Sequence, residues 1–145
     1  MRRRSLLYLD ASAIIKLVLE EPESRALRRA TSGATRLSSE LALAEVPRAV
    51  ARSSARRSPE ERRRLIAVAE GMVVRLTLVE LTRELLTDAG SVGPPRLRTH
   101  HAVHVASARS LGDELEAFVS YDRRQLDAAS DAGLAVVSPG APATR

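Results

Sequence analysis

Asp10 directly follows the apolar run Leu6-Leu-Tyr-Leu9, and Asp122 directly follows Phe118-Val-Ser-Tyr121. Short apolar runs of this kind suit buried strands. In a parallel sheet the strand carboxyl ends share one edge, and ligands bind in the crevice there. The two acids are therefore expected side by side, although they lie far apart in the chain. Each could equally cap the helix that follows, since Asp is a good N-cap. Glu45 is a third acid, set among Leu41, Ala42, Leu43, Ala44, Val46 and Ala49. A buried carboxylate is costly unless it is paired or binds metal. Arg48 and Arg52 stand at helical spacing from it and offer an ion pair as the alternative. Clustered carboxylates repel: at ~4 Å and an effective dielectric of about 20, one pair costs about 4 kcal/mol. A divalent cation removes that cost, and hard oxygen ligands suit Mg²⁺ or Mn²⁺. Such an ion can lower the pKa of a bound water and stabilise charge on a transferring phosphoryl group.

The elements that must position these acids can be read along the chain. Residues 5–9 predict a strand, and residues 10–20 carry the helical stripe Ile14, Ile15, Val18 and Leu19. Pro22 opens a second helix over 23–30. Residues 35–37 suggest a weak strand, followed by a helix capped by Ser38 or Ser39. Pro47, inside that helix, should kink it or loosen its first turns. Ser58-Pro59-Glu60-Glu61 reads as a capped helix start, with the helix running to about Glu70 and stopping at Gly71. Residues 72–78 then read as a strand and 79–89 as a helix. A loop containing Gly93-Pro94-Pro95 leads to a helix over 99–111, a strand over 117–121, a helix over 123–132 and a last strand over 134–137. This alternation predicts an α/β fold in three α/β/α layers, with a mainly parallel sheet of about five strands. Residues 1–138 form the expected domain and 139–145 a C-terminal tail.

Composition narrows the classes further. The 145 residues are a usual size for one domain with one core. The aromatics are only Tyr8, Phe118 and Tyr121, so base stacking on aromatic platforms is not the expected way to hold RNA. The formal charge is +5, carried almost wholly by arginine, with Lys16 the single lysine. That balance favours polyanions or an acidic partner, although arginine abundance can also reflect codon bias. The absence of cysteine excludes disulfides, thiolate catalysis and Cys-ligated zinc. No apolar run approaches the roughly 20 residues that span a bilayer. The basic start is cut short by Asp10 and is too brief for a secretory signal. A cytoplasmic protein with no membrane partner is expected.

Four segments carry a family resemblance: Tyr8-Leu-Asp-Ala-Ser-Ala-Ile-Ile-Lys-Leu17, Leu43-Ala-Glu-Val46, Leu97-Arg-Thr-His-His-Ala-Val-His-Val-Ala-Ser-Ala108 and Phe118-Val-Ser-Tyr-Asp-Arg-Arg-Gln-Leu126. In this order they resemble the successive motifs of PIN domains, and most of all the VapC-type toxins of bacterial type II toxin–antitoxin operons. The resemblance spans nearly the whole chain. It implies a Mg²⁺- or Mn²⁺-dependent endoribonuclease, a homodimer, and a cognate VapB-like antitoxin encoded beside it. By motif position it makes Asp10, Glu45 and Asp122 metal-site acids. Ser12 takes the place of the small hydroxyl residue that supports the first of them.

One position departs from the pattern. His101 stands where the family usually has Asp. Imidazole can ligate a metal but brings no negative charge, and it suits Mn²⁺ better than Mg²⁺. Weaker Mg²⁺ binding, a preference for Mn²⁺ or attenuated activity is the expectation. A degenerate PIN domain that binds antitoxin or RNA and cuts poorly is the alternative, supported by His101 and by Pro47 beside Glu45. His100 and His104 stand four apart, as in a zinc site, but His101 occupies the place where a metalloprotease needs Glu. A hydrogen-bonded core role suits His104 better, with His100 exposed. A dehalogenase-type phosphohydrolase would need Asp where Ser12 stands, and a receiver domain would need a late lysine. The expected reaction has a metal-bound water attacking an RNA phosphodiester. Arg123 and Arg124 are candidates to hold flanking phosphates, unless they only solvate a helix.

Overall fold

The computed structural model describes residues 3–143. Its centre is a five-stranded sheet of β1 (Leu6–Leu9), β2 (Thr35–Ser39), β3 (Thr77–Val79), β4 (Leu115–Val119) and β5 (Val136–Val137). The spatial order is β3-β2-β1-β4-β5, and every pairing is parallel. The helices are α1 (Ala11–Val18), α2 (Ser24–Thr31), α3 (Ala42–Ser53), α4 (Pro59–Val74), α5 (Arg83–Ala89), α6 (Thr99–Arg109) and α7 (Arg123–Asp131).

Alternation along the strands sorts the core into two sheets of side chains. Leu7, Leu9, Ala117 and Val119 point to the face covered by α1 to α4, where Ile14, Leu27, Val46, Val50 and Val73 meet them. Tyr8 and Phe118 point to the opposite face, against Val105, Ala108 and Ala128 of α6 and α7. Their rings stack at 5.3 Å with an interplanar angle of 9°. Each fully buried Leu, Val, Ile or Phe contributes about 1.5–3 kcal/mol, so pinning β1 between two apolar layers fixes its register firmly. The expected three-layer α/β/α arrangement with a parallel sheet is what the structure has. α5 packs on α6 through Leu85, Ala89, Ala102 and Ala106.

Several boundaries differ from the sequence reading. Gly71 does not end a helix: α4 continues through it to Val74, and residues 72–74 are helical where a strand is expected. Glycine in a helix costs about 1 kcal/mol. Ala69 and Val73, one helical turn apart on either side of it, are fully buried against the core and outweigh that cost. The strand shrinks to Thr77–Val79, and the helix expected from Val79 begins only at Arg83, capped by Thr82. Pro47 neither breaks nor ends α3, which runs unbroken over Ala42–Ser53. Ser39 serves the start of that helix by accepting from the Leu41 N–H at 3.1 Å, outside the usual N-cap position. The Ser58 cap forms as expected, its Oγ accepting from the Glu61 N–H at 3.2 Å. The last strand is two residues long, and β4 ends at Val119, leaving Ser120 and Tyr121 between it and Asp122. Beyond β5, the Pro139 carbonyl accepts from the Tyr121 hydroxyl at 2.7 Å.

Candidate active site

At the carboxyl edge of β1 and β4 a cleft of about 660 Å³ opens between α1, α3, α6 and α7. Asp10, Glu45, His101 and Asp122 all line it, with Ser12 and His104. The parallel sheet brings the first and last of these acids to one rim. Asp10 sits at the junction of β1 and α1, where its N–H donates to the Val119 carbonyl at 3.2 Å. Asp122 heads α7. Each also caps its helix: Asp10 Oδ1 accepts from the Ala13 N–H at 3.0 Å, and Asp122 Oδ1 from the Gln125 N–H at 3.1 Å. Capping and site placement are therefore compatible, and both helix N-termini direct their positive ends to the same edge.

Asp10 is held by two serines. Ser12 Oγ donates to Oδ1 at 2.6 Å, and Ser120 Oγ donates to Oδ2 at 2.5 Å. Ser12 also accepts from the Tyr121 N–H at 2.9 Å, and Ser120 from the Asp122 N–H at 3.1 Å. The two hydroxyls thus tie the first acid to the segment that carries the last. Asp10 is only 1% exposed. Burial pushes its carboxyl above the ordinary value, and His104 and these hydrogen bonds oppose that shift without cancelling it. A buried carboxylate with this bias gains from a nearby cation.

Glu45 is tied to neither arginine at helical spacing. Its Oε1 meets His104 Nε2 at 2.5 Å, and His104 Nδ1 meets the Tyr8 hydroxyl at 2.7 Å. Tyr8 and His104 are almost wholly buried, whereas Glu45 reaches the cleft. Burial keeps the Tyr8 phenol neutral, its pKa well above the ordinary value. The hydrogen bonds can run in one direction, Tyr8 O–H to Nδ1 and Nε2–H to Glu45. His104 has the core role that was expected for it, and its partner is a site acid.

His101 lines the cleft, with Nε2 at 3.8 Å from Asp122 Oδ2 and a buried Nδ1 that has no hydrogen-bond partner among the described residues. Burial, aided by His100, holds its imidazole below the ordinary value, so at neutral pH the contact with Asp122 is not an ion pair. His100 is half-buried, not exposed as expected, because its ring rests on His101 with centroids 4.1 Å apart. Arg124 lines the cleft. Arg123 instead pairs with Asp127 at 3.3 Å on the exposed side of α7 and is not part of the cleft lining.

Among the described residues, no three Asp, Glu, His or Cys side chains stand close enough together to form a metal-holding group. The three acids share a cleft without being drawn into one coordination shell. The donor chemistry nevertheless fits a hard divalent cation. Among the described residues Glu45 Oε2 and Asp122 Oδ2 have no hydrogen-bond donor, and both oxygens of Asp10 keep lone pairs beyond the serine contacts.

Ser120 and Tyr8 are the site-supporting residues that sequence reasoning does not single out. A signal for Ser120 exists: it is the one small hydroxyl in the apolar run that leads to Asp122. Tyr8 gives no such signal, since an aromatic in a strand reads as core.

The chain matches the family model for the PIN domain over residues 7–131. It is 41% identical to ribonuclease VapC46 of Mycobacterium tuberculosis over 134 residues, covering 92% of this chain and 97% of the relative. It is 35% identical to ribonuclease VapC47 of Mycobacterium tuberculosis over 141 residues, covering 94% and 98%. With ribonuclease VapC35 of the same species it shares 34% over 140 residues, covering 93% and 98%. The chain belongs to the PIN-domain family, as a member of its VapC type.

Proposed function

We propose that this protein is an endoribonuclease toxin that hydrolyses RNA phosphodiester bonds with the help of Mg²⁺ or Mn²⁺, and that a cognate VapB-like antitoxin neutralises it. The observation that carries this reading is the single cleft that Asp10, Glu45 and Asp122 all line at the carboxyl edge of a parallel sheet. The names of the relatives support ribonuclease activity. In this reading Asp10, Glu45 and Asp122 hold the cation, with His101 as a neutral ligand at its side. Ser12 and Ser120 orient Asp10, and His104 orients Glu45. When bound, the metal supplies an activated water and charge stabilisation at the phosphoryl group. The protein's own contribution is to fix the carboxylates and to lower the cost of holding them together.

The attenuated alternative loses one of its two supports, because Pro47 leaves α3 intact and Glu45 at the cleft. The other support, His101 in place of an acid, bears on which metal serves best. Homodimer formation belongs to the same reading, as the family resemblance implies. No helix among the described residues is long and apolar enough to cross a membrane.

The test is cleavage of a panel of structured RNAs by purified protein with Mg²⁺, with Mn²⁺ and with EDTA, beside the Asp10→Asn variant. Cleavage that needs metal and disappears in the variant supports the reading. Equal cleavage by both proteins points to a contaminant and removes the support.

A further inference from the structure

The geometry points to a single-stranded RNA lying across the cleft, its backbone held by Arg48 and Arg52 on one flank of the acids and by Arg98 and Arg124 on the other. This rests on the nuclease reading and names how that site takes its substrate. Arg48 and Arg52 stand at i+3 and i+7 from Glu45 on α3, so they share its face of the helix. Arg98 is the N-cap of α6, and Arg124 lies in the first turn of α7. All four are exposed and line the same cleft as Asp10 and Asp122.

None of the four makes an ion pair among the described residues. The arginines that do are Arg28, Arg57, Arg109 and Arg123, all outside the cleft. Guanidiniums and carboxylates that line one hollow ordinarily close on each other. Here the acids are engaged by serine hydroxyls, His104 and helix N–H groups, which leaves the arginine forks free for an anion. A guanidinium matches phosphate geometry in two parallel bonds.

The depth of the cleft favours a single strand. Asp10 lies at the cleft floor at 1% exposure, so a phosphodiester must dip inward to approach it, which a strand free of a duplex does more readily. Arg124 also borders a second hollow of about 620 Å³, where Arg96 is matched by Asp127 and Asp131, so the net basic lining is confined to the four arginines around the acids. The aromatics offer no platform for bases: Tyr8 and Phe118 are wholly buried, and Tyr121 lies under Lys16. Affinity must then come mainly from phosphates and fall steeply with salt.

The experiment measures binding of a fluorescein-labelled single-stranded RNA by anisotropy, in EDTA, across a salt series. The proteins compared are wild type, Arg48→Gln/Arg52→Gln, Arg98→Gln/Arg124→Gln, the combined fourfold variant, and Arg63→Gln/Arg64→Gln on α4 as an equal-charge control outside the cleft. Each lost phosphate contact should lower the salt slope by ~0.7, which at 0.1 M salt is about fivefold in affinity. Each cleft pair should therefore cost roughly 25-fold, the fourfold variant roughly the product of the two, and the control less than about twofold. Charge-keeping Arg→Lys versions of both pairs should retain the wild-type slope, and if a glutamine pair fails to fold, the single Arg→Gln variants read the same loss at about fivefold each. The inference is overturned if both cleft pairs bind within twofold of wild type, if the control loses as much as they do, or if the lysine pairs lose the slope. Cleavage, measured separately with Mn²⁺, keeps the two readings apart. A cleaving wild type whose glutamine pairs bind unchanged defeats this inference alone. Arginine-dependent binding without cleavage in any metal defeats the nuclease reading alone.

Discussion

Replacing Tyr8 by Phe removes one oxygen from a position where the ring itself stays stacked on Phe118. That oxygen is the only hydrogen-bond partner of His104 Nδ1 among the described residues, 2.7 Å away in a buried setting. Neighbouring hydroxyls are already committed: Ser38 donates to the Leu9 carbonyl at 2.7 Å and Ser107 to the Val103 carbonyl at 2.7 Å. An orphaned buried ring nitrogen costs about 1–3 kcal/mol. For a chain of this size that lowers the unfolding midpoint by about 6 °C, at roughly 2–4 °C per kcal/mol. Removing both partners in Tyr8→Phe/His104→Leu should cost less than the sum of the single changes, with a coupling energy of about 1 kcal/mol or more. Thermal unfolding of the four proteins, followed by circular dichroism, measures this. The same substitution loosens the imidazole that fixes Glu45, so kcat on RNA should fall with KM little changed. An unchanged midpoint in Tyr8→Phe, or strict additivity in the double variant, would refute the Tyr8–His104–Glu45 link.

Asp10→Asn should abolish cleavage and yet raise the unfolding midpoint of metal-free protein at neutral pH. Its carboxyl is held above the ordinary value of 3.8 by burial, so it favours the fold when protonated, and that contribution is lost as pH rises through the folded value. The gap between variant and wild type should close as pH falls to the ordinary value, and a variant less stable than wild type at neutral pH counts against the buried-charge reading. Ser120→Ala, which removes the donor to Asp10 Oδ2, should cost about 10- to 100-fold in metal affinity or cleavage rate, the usual range for a residue that orients a ligand. An undiminished rate would show that Ser12 alone suffices. His101→Asp adds a charge beside Asp122 and should lower the Mg²⁺ concentration needed for half-maximal cleavage. Unchanged Mg²⁺ dependence would mean that His101 lies outside the metal's reach.

The sheet was legible because its strands are short apolar runs with an acid or a turn after them. The positions of Asp10 and Asp122 followed from parallel topology alone. Glu45 was legible as an acid in an apolar setting, but its partner was not. His104 lies 59 residues away on a helix that packs from the opposite side of the sheet edge, and helical spacing pointed to Arg48 and Arg52 instead. The end of α4 is not legible for a related reason. Gly71 is a local stop signal, but the burial of Ala69 and Val73 is a tertiary effect that overrides it. Ser120 is not legible as a site residue because a serine at a strand end has many uses. Its role appears only when β1 and β4 are paired, with Leu9 beside Val119. The separation of Arg123 from Arg124 turns on about one-third of a helical turn, which fixes which side chain meets the cleft.

Titration with Mn²⁺, followed by electron paramagnetic resonance, tests the metal role of the three acids most directly, in wild type and in Asp10→Asn, Glu45→Gln and Asp122→Asn. Wild type should bind Mn²⁺ and cleave RNA in parallel with occupancy, and each substitution should weaken both together. Wild-type protein that binds no Mn²⁺, or variants that bind and cleave as wild type does, would contradict it.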